Sequence, residues 1–518
     1  MRPLPPQLLA GPDSAGAAMR NGSRPRLAVG ARAAAGVLLV LFGAADHLAA
    51  QSVRVTGVTS VQGVDLRPLV EDSIPVAEAI GDGPYRELPD GRIVRCIGGD
   101  AFCRFRASGE RVMAAPLVQD LRASAWGLGQ GISLHAHARL RETLGSDPVQ
   151  WPRSGDSFDA LEAYLQVDRG DIRTRLGRQW ALSGLGVYNF DGASVQLRRG
   201  RGRIEARLGR SLVAGLNDPV GGGLLGGIDD LPPDEHGRLW GVSAAFAVPG
   251  RGAISATWQR EIREDGAALY SDRAALDGST RLAGVTLDAS LAWDLSEQEV
   301  NEARLRASRQ LPWGLSASAE ARRHRPFFEA WTIWGVFSPV AFDEARGTLE
   351  KRSADSRLGI TVRGSRREYE ETGAGFTATP LRGDGWRAGA GADWARGEHW
   401  LWYADYDIDI GFGASRSDVA GGARWMPDEK RYLGVALSGL QNIYEFRVGT
   451  GRILGVRVEA GTRVRQDTRI VADAAIYSHR LSNGAMGADW SQRRVSARLE
   501  WTVGRDPGMA ARPAGRAP

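Results

Sequence analysis

The clearest pattern in the chain is an alternation of apolar and polar positions, and it is most regular at residues 400–412, W-L-W-Y-A-D-Y-D-I-D-I-G-F. A β-strand points successive side chains to opposite faces. One face of this segment is therefore apolar and aromatic, whereas the other carries Asp405, Asp407 and Asp409. The length suits a tilted strand that crosses a bilayer, and aromatic residues towards both ends of the apolar face are typical of the two membrane interfaces.

The same alternation recurs through residues 121–503 and predicts a series of strands. Regular strands joined by alternating short and long connections are typical of an up-and-down barrel. We therefore predict an all-β fold, a transmembrane antiparallel up-and-down β-barrel of about 18–20 strands at residues 119–505, followed by a disordered tail at 506–518. Short turns are predicted at 199–202, 249–252, 277–279, 427–430 and 449–451, and longer outer loops at 142–157, 179–192, 212–237, 324–345, 368–383 and 479–492.

The bulk composition agrees with a barrel. An apolar content of 43% and a mean hydropathy of -0.27 are expected when alternating strands average to neutral hydropathy. Outside the N-terminus, no apolar run of about 18 residues occurs, which excludes a helical membrane protein. The 67 glycines and 16 tryptophans suit tight turns and aromatic interfacial belts.

Residues 1–50 have the features of a secretory signal peptide, which predicts export to the bacterial outer membrane. Arginines at 20–32 precede an apolar stretch at 33–42 that is too short to span as a helix, and small residues precede Gln51. The segment holds five arginines and two aspartates, a net +3, so its removal lowers the formal charge from +5 to +2. The pI of 9.4 therefore gives no support to nucleic-acid binding.

Residues 51–118 lack strong alternation and contain both cysteines of the chain. We predict a small N-terminal segment that is either periplasmic or inserted into the lumen. An exported compartment is oxidising, so Cys96 and Cys103 are expected to form a local disulfide. A metal site would need further ligands nearby, and a redox pair normally has the tighter C-x-x-C spacing.

Charged residues on the polar faces of the predicted strands are candidates for a pore lining, because charge that faces lipid costs roughly 2–4 kcal/mol near the bilayer centre. Two interpretations are open. An arginine-rich wall would favour anionic or polar solutes through its field, whereas cross-strand pairs of arginine and carboxylate would only stiffen a polar lumen. The candidates are Arg173, Arg175, Arg198, Arg207, Arg304, Arg306, Arg322, Arg363, Asp405, Asp407, Asp409, Arg457, Arg463 and Arg498.

One local motif resembles a known family. Leu176-Gly-Arg178-Gln179, followed by Asn189-Phe-Asp191-Gly192-Ala-Ser-Val195, is similar to the G-R-Q…F-D-G-A hairpin of alginate-export-type and related porin-like outer-membrane barrels. The resemblance implies a wide barrel lined by basic residues that passes an acidic polysaccharide. It also implies that Arg178 and Asp191 form a pair on the lumen side or at the base of a loop. The chain differs from that family in its N-terminal segment and in having only two lysines, Lys351 and Lys430.

Three further features of the sequence bear on possible chemistry. Residues 326–339, P-F-F-E-A-W-T-I-W-G-V-F-S-P, are either a constriction or contact surface, or a strand end in the outer aromatic belt. His135 and His137 share a strand face, but no third ligand is identifiable, so we expect no metal and no cofactor. No arrangement of nucleophile, base and orienting group is identifiable either, so we expect that the protein is not an enzyme.

The leading hypothesis is an outer-membrane porin-like channel for passive transport of small polar or anionic solutes, acidic saccharides among them. A loop or residues 51–118 would narrow its lumen. One alternative is a closed barrel that serves as a structural or docking partner for periplasmic proteins through residues 51–118. The other is an outer-membrane enzyme. The expected partners are outer-membrane lipid and small solutes but no nucleic acid, and assembly into a homo-oligomer is left open.

Overall fold

Twenty-two strands form one closed antiparallel barrel in a computed structural model of the chain, and four further strands form a separate small sheet. The predicted all-β up-and-down barrel is confirmed. Among the residues that the structure describes, two short 3₁₀ turns occur, at Val76–Glu78 and Pro312–Gly314. Within the described ranges, no helix is long and apolar enough to cross a membrane. The structure describes residues 52–66, 69–83, 85–88, 93–96, 99, 101–108, 110–145, 158–212, 237–263, 266, 269–325, 341–370, 383–411, 414–445, 451–481 and 490–504.

The barrel strands are long, as membrane crossing requires. They are β1 (Ser52–Leu66), β6 (Val112–Gly129), β7 (Ile132–Gly145), β8 (Phe158–Arg169), β9 (Ile172–Ser183), β10 (Gly186–Arg199), β11 (Gly202–Ser211), β12 (Gly237–Val248), β13 (Gly252–Arg263), β14 (Leu269–Leu282), β15 (Val285–Asp294), β16 (Glu299–Leu311), β17 (Leu315–His324), β18 (Phe342–Arg352), β19 (Leu358–Tyr369), β20 (Asp384–Arg396), β21 (Trp400–Ile410), β22 (Ala414–Trp425), β23 (Arg431–Glu445), β24 (Gly451–Arg465), β25 (Thr468–Leu481) and β26 (Trp490–Gly504). The small sheet contains β2 (Leu69–Pro75), β3 (Tyr85–Glu87), β4 (Ile93–Cys96) and β5 (Phe102–Ser108).

The barrel is closed by its N-terminal strand. β1 pairs along its length with the C-terminal strand β26 on one side and with β6 on the other. The predicted boundary at residue 118 therefore differs from the structure, since Ser52–Leu66 belongs to the barrel wall and β6 begins at Val112. Strand β1 was missed because its apolar residues change face along the sequence and leave no continuous stripe.

The barrel has more strands than the 18–20 predicted, and β14 and β18 explain part of the difference. Residues 277–279 were predicted as a turn, but they lie inside β14 and pair with β13. Gly278 is a small residue on the outer face rather than a turn glycine, and the actual turn follows at residues 283–284. Strand β18 has small or charged residues on both faces, so it shows no apolar alternation.

The two ends of the barrel differ in their connections. At one end, called here the turn end, consecutive strands are joined by segments of two to five residues, and β1 begins and β26 ends. The opposite end, called the loop end, carries the long connections 146–157, 213–236, 325–341 and 370–383. The predicted loop at 179–192 is instead regular strand, because β9 and β10 continue to a tight turn at residues 184–185.

The predicted disulfide between Cys96 and Cys103 is confirmed, and it links strands β4 and β5 of the small sheet. Its strand order is β2-β5-β4-β3. Both cysteines are buried with Val94 and Leu88 in a core of only a few side chains. A core of this size stabilises a sheet weakly, so the covalent link is a large part of its stability.

Replacing both cysteines with alanine is expected to loosen the small sheet and to leave the barrel folded. Loss of a disulfide that closes a loop of this length removes about 2–3 kcal/mol. The measurement is limited proteolysis at residues 69–108 alongside the electrophoretic shift of the heat-denatured barrel. Faster cleavage with an unchanged shift is the expected result, whereas equal cleavage of both forms would contradict it.

Candidate functional site in the barrel lumen

The three aspartates of β21 face the lumen and form ion pairs with arginines of neighbouring strands. Arg363 on β19 contacts the carboxylates of both Asp405 and Asp407, and its Nε donates to Asp407 Oδ1 at 2.9 Å. Arg387 Nε lies 3.5 Å from Asp407 Oδ1. Strand β20 lies between Arg363 and these aspartates, and the pairs can cross it because the position opposite Asp407 is a glycine.

The same network continues towards the loop end through Arg367 on β19. Arg367 Nη1 lies 3.5 Å from Asp409 Oδ2, and its Nε donates to Glu344 Oε1 at 3.1 Å. The acidic row of β21 is therefore neutralised by arginines rather than free. Of the two interpretations left open by the sequence, this part of the wall fits the cross-strand pairing one.

The other candidate arginines fall into three groups by their partners. Four pair with carboxylates: Arg173 with Asp168, Arg322 with Glu302, Arg457 with Asp473 and Arg498 with Glu500. Three donate to neutral acceptors: Arg175 to Gln166, Arg198 to Gln196, and Arg207 to Ser243 and Gln259. Within the described part of the chain, Arg304, Arg306 and Arg463 form no ion pair within 4 Å.

The two histidines of β7 serve the polar wall. His135 lies within hydrogen-bonding distance of the Ser124 and Ser133 hydroxyls, at 3.0 and 3.1 Å. Its ring stacks on Tyr164 of β8 with centroids 4.9 Å apart. His137 Nε2 lies 3.3 Å from Asp120 Oδ1. These contacts make both rings part of the hydrogen-bonded polar face of β7.

The tip of the β9–β10 hairpin, residues 179–190, departs from the barrel wall, and we call it the inner hairpin. Pairing between β8 and β9 stops at Ala163 and Arg178, although β8 continues to Phe158. Gly177 adopts φ +122°, a conformation that favours glycine. Gly177, Gly192 and Gly209 are register partners across three strands, and a Cβ on any of them would come within 2.5 Å of a backbone oxygen. The strands can bend here only because this row lacks side chains.

The base of the inner hairpin is fixed by the motif that resembles the alginate-export-type family. Arg178 Nε and Nη2 donate to the two carboxylate oxygens of Asp191 at 2.7 and 2.8 Å. Arg178 Nη1 also donates to the Ala160 carbonyl, and Asn189 Nδ2 donates to the Leu161 carbonyl. These side chains replace the strand hydrogen bonds that β8 loses where β9 leaves it. Gln179 at the same level accepts a hydrogen bond from Ser194.

The tip of the inner hairpin contacts the inner face of β14 and β15, which are three and four strands beyond β11. Leu185 packs against Ala275 and Ala292 and is buried. Arg273 on β14 donates to the Tyr188 hydroxyl at 2.8 Å. Phe190 and Leu239 form a second buried apolar contact under the hairpin. The hairpin therefore crosses part of the lumen, from its base beside β8 to the wall at β14 and β15.

The outer face of the barrel has the opposite character. Leu208, Ile476 and Val495 are 63%, 58% and 60% exposed, and many other large apolar side chains of the wall are exposed on the same face. Trp400 and Trp402 stack near the turn end, with ring centroids 5.6 Å apart. A closed barrel with an apolar exterior and an aromatic edge is stable only when lipid covers it. The protein is a bacterial outer-membrane β-barrel.

No protein-family model and no curated protein matches the sequence. Solved structures resemble this chain only at low identity and with TM-scores below 0.5. OccAB4 from Acinetobacter baumannii is 8% identical, with 88% of this chain and 99% of that chain covered and a TM-score of 0.38. OpdQ from Pseudomonas aeruginosa is 9% identical, with 88% and 97% covered and a TM-score of 0.40. The siderophore receptor PirA from Pseudomonas aeruginosa is 11% identical, with 87% and 80% covered and a TM-score of 0.40.

The topology places the disulfide-stapled sheet at the loop end. β1 rises from the turn end, so its last residue Leu66 and the first residue of β6, Val112, both lie at the loop end, and β2–β5 is inserted between them. Bacterial barrels have short turns in the periplasm and longer loops outside. By this rule the sheet lies on the side of the long outer loops. Of the two positions predicted for residues 51–118, the periplasmic one does not fit this topology, and insertion into the lumen stays a prediction.

Replacing Ile80 with lysine is expected to make the protein react with a membrane-impermeant amine reagent on intact cells. Ile80 is 60% exposed on the small sheet, whereas Lys351 and Lys430 adjoin short connections of the turn end. A Trp313→Lys variant is the matched control, because Trp313 is 86% exposed at the turn end. Labelling of I80K only after the outer membrane is permeabilised would place the sheet in the periplasm.

Sequence reasoning missed the inner hairpin as a lumen element. The aromatic segment 326–339, which was a candidate constriction, lies outside the described residues. A signal for the hairpin was present in Gly177 and Gly192, because both glycines lie within the motif at positions where a strand should favour larger residues. Their role in the bend could not be predicted from the sequence, because it depends on the strand register that makes the two glycines partners.

Proposed function

We propose that the protein is a porin-like channel that lets small polar solutes, anions in particular, diffuse across the outer membrane. The observation that carries this proposal is the closed 22-strand wall with a charged, hydrogen-bonding inner face. A barrel of this size encloses more space than the wall side chains fill. Charged groups facing that space keep it hydrated.

The distribution of charge partners supports a preference for anions. The acidic row of β21 is neutralised by Arg363, Arg367 and Arg387. By contrast, Arg175 and Arg207 have only neutral acceptors in the described structure, so their charge adds to the field of the lumen. Acidic saccharides, which the motif resemblance implies, belong to this class of solute.

The inner hairpin supplies the inserted element of the proposed channel. It narrows the lumen from the side of β11–β13. The contacts of Leu185 and Tyr188 with β14 and β15 hold it in this position. The narrow part of the channel would then be bounded by the hairpin and by the wall of β19–β22 and β24–β26.

Planar-bilayer recording of the purified full-length protein tests the proposal. We expect ionic current with a reversal potential, under a potassium chloride gradient, that indicates chloride preference. An acidic oligosaccharide added to one side should reduce this current, whereas a neutral one of equal length should reduce it less. A correctly folded barrel without any current would contradict the proposal and would favour the closed docking barrel.

A further inference from the structure

Arg207 is a buried cation without a carboxylate partner in the described structure. Its side chain is on the lumen face of β11, and the residue is only 4% exposed. Nη1 donates to Ser243 Oγ and Nη2 to Gln259 Oε1, each at 3.2 Å, and Nε–H has no acceptor. Two neutral acceptors satisfy part of its hydrogen-bonding capacity, and Glu205, two residues earlier on the same face of β11, compensates part of its charge without contacting it as an ion pair.

Such an arrangement is unfavourable for a guanidinium, which stays charged at any physiological pH. A buried charge is normally paired, because removing it from water without compensation is costly. The closed structure therefore carries a penalty at Arg207 that a bound anion or renewed hydration would remove.

The inner hairpin is what closes over this arginine. Ser194, Arg207, Gly241, Gln259 and Arg273 are successive register partners on β10–β14. Gln179 of the hairpin holds Ser194 at one end of this row, and Tyr188 of the hairpin holds Arg273 at the other. Arg207 lies between these two anchors.

We propose that Arg207 is a binding site for a compact oxyanion, a carboxylate or phosphate group, and that the site becomes accessible when the inner hairpin lifts from its seat. The guanidinium fork matches the two oxygens of such an anion. Because the anion binds only the lifted state, it shifts the hairpin towards that state. This inference rests on the proposed channel only for its consequence, which is a current that depends on the oxyanion.

Labelling of a Leu185→Cys variant tests the site without relying on current. Leu185 is 6% exposed where it packs against β14 and β15, so a cysteine at this position reacts with a polar maleimide only when the hairpin lifts. The two native cysteines form a disulfide and do not react. The full-length protein is labelled in detergent with acetate or inorganic phosphate added at constant ionic strength. We expect the labelling rate to rise about fivefold, the lower range of ordinary coupling between sites.

The same measurement in the Arg207→Gln background should show no response to either anion. Arg463→Gln is the matched control, since Arg463 faces the lumen away from the hairpin, and it should respond like the parent. If Arg207→Gln does not fold, Arg207→Lys replaces it and should respond less, because an ammonium lacks the fork. An unchanged response in these Arg207 variants, or no response in the parent, would overturn the site. Absence of bilayer current with intact labelling behaviour would instead overturn only the channel function.

Discussion

Replacing Gly177 with valine is expected to destabilise the barrel by about 3 kcal/mol and to keep the inner hairpin out of the lumen. Two separate effects act at this position. The backbone conformation at φ +122° is strained for a β-branched residue, and a Cβ would lie 2.2 Å from the Ala163 carbonyl oxygen. The strand can relieve this contact only by straightening, which removes the bend.

Chemical unfolding in lipid or detergent measures the stability change, and single-channel conductance measures the position of the hairpin. A straightened hairpin should give a larger conductance. Gly192→Val separates the two effects, because Gly192 has the close contact without the positive φ. Gly347→Val is the control, since a Cβ there meets nothing within 4 Å. Equal stability and conductance in G177V and G347V would contradict a role for the bend.

Replacing Asp407 with asparagine is expected to destabilise the barrel by about 2 kcal/mol and to increase its preference for anions. The Asp407 side chain is 12% exposed and anchors both Arg363 and Arg387. Removing one partner from a buried network leaves the others uncompensated, although lumen water moderates the cost. The freed positive charge then adds to the field of the pore.

Unfolding experiments and reversal potentials measure these two effects. Asp418→Asn is a matched control, because Asp418 is the register partner of Asp407 but its side chain is 43% exposed and, in the described part of the chain, forms its ion pair with the exposed Arg416. Its loss should cost less than about 1 kcal/mol. A double-mutant cycle with Arg363→Gln isolates the pair. If D407N and D418N proved equally stable, the network would have no structural role.

The sequence predicted the main features of the wall because the faces of a strand follow directly from its alternation. The aspartates of 400–412 were assigned to the face opposite Trp400 and Trp402, and the structure places them in the lumen. A one-residue error would have reversed both faces, so the period of two is a strong signal. The strand count was less accessible, because β1 and β18 carry no regular apolar stripe.

The candidate site was predictable as a set of residue types but not as a set of contacts. Arg363 and Asp407 are 44 residues apart and meet only because β20 lies between their strands with Gly389 at the crossing. The same reasoning applies to Tyr188 and Arg273, which are 85 residues apart. Neither separation along the chain produces a local sequence pattern from which the contact could be predicted.

By itself the sequence determined that this chain forms strands, that one face of most of these strands meets lipid, and that the charged face points inward. Those properties depend on alternation, which is local. Only the tertiary structure decided which arginines are neutralised, that the disulfide-stapled sheet leaves the barrel at its loop end, and that the β9–β10 hairpin bends inward over Arg207. These properties depend on register and closure around 22 strands, where residues distant in the chain become neighbours.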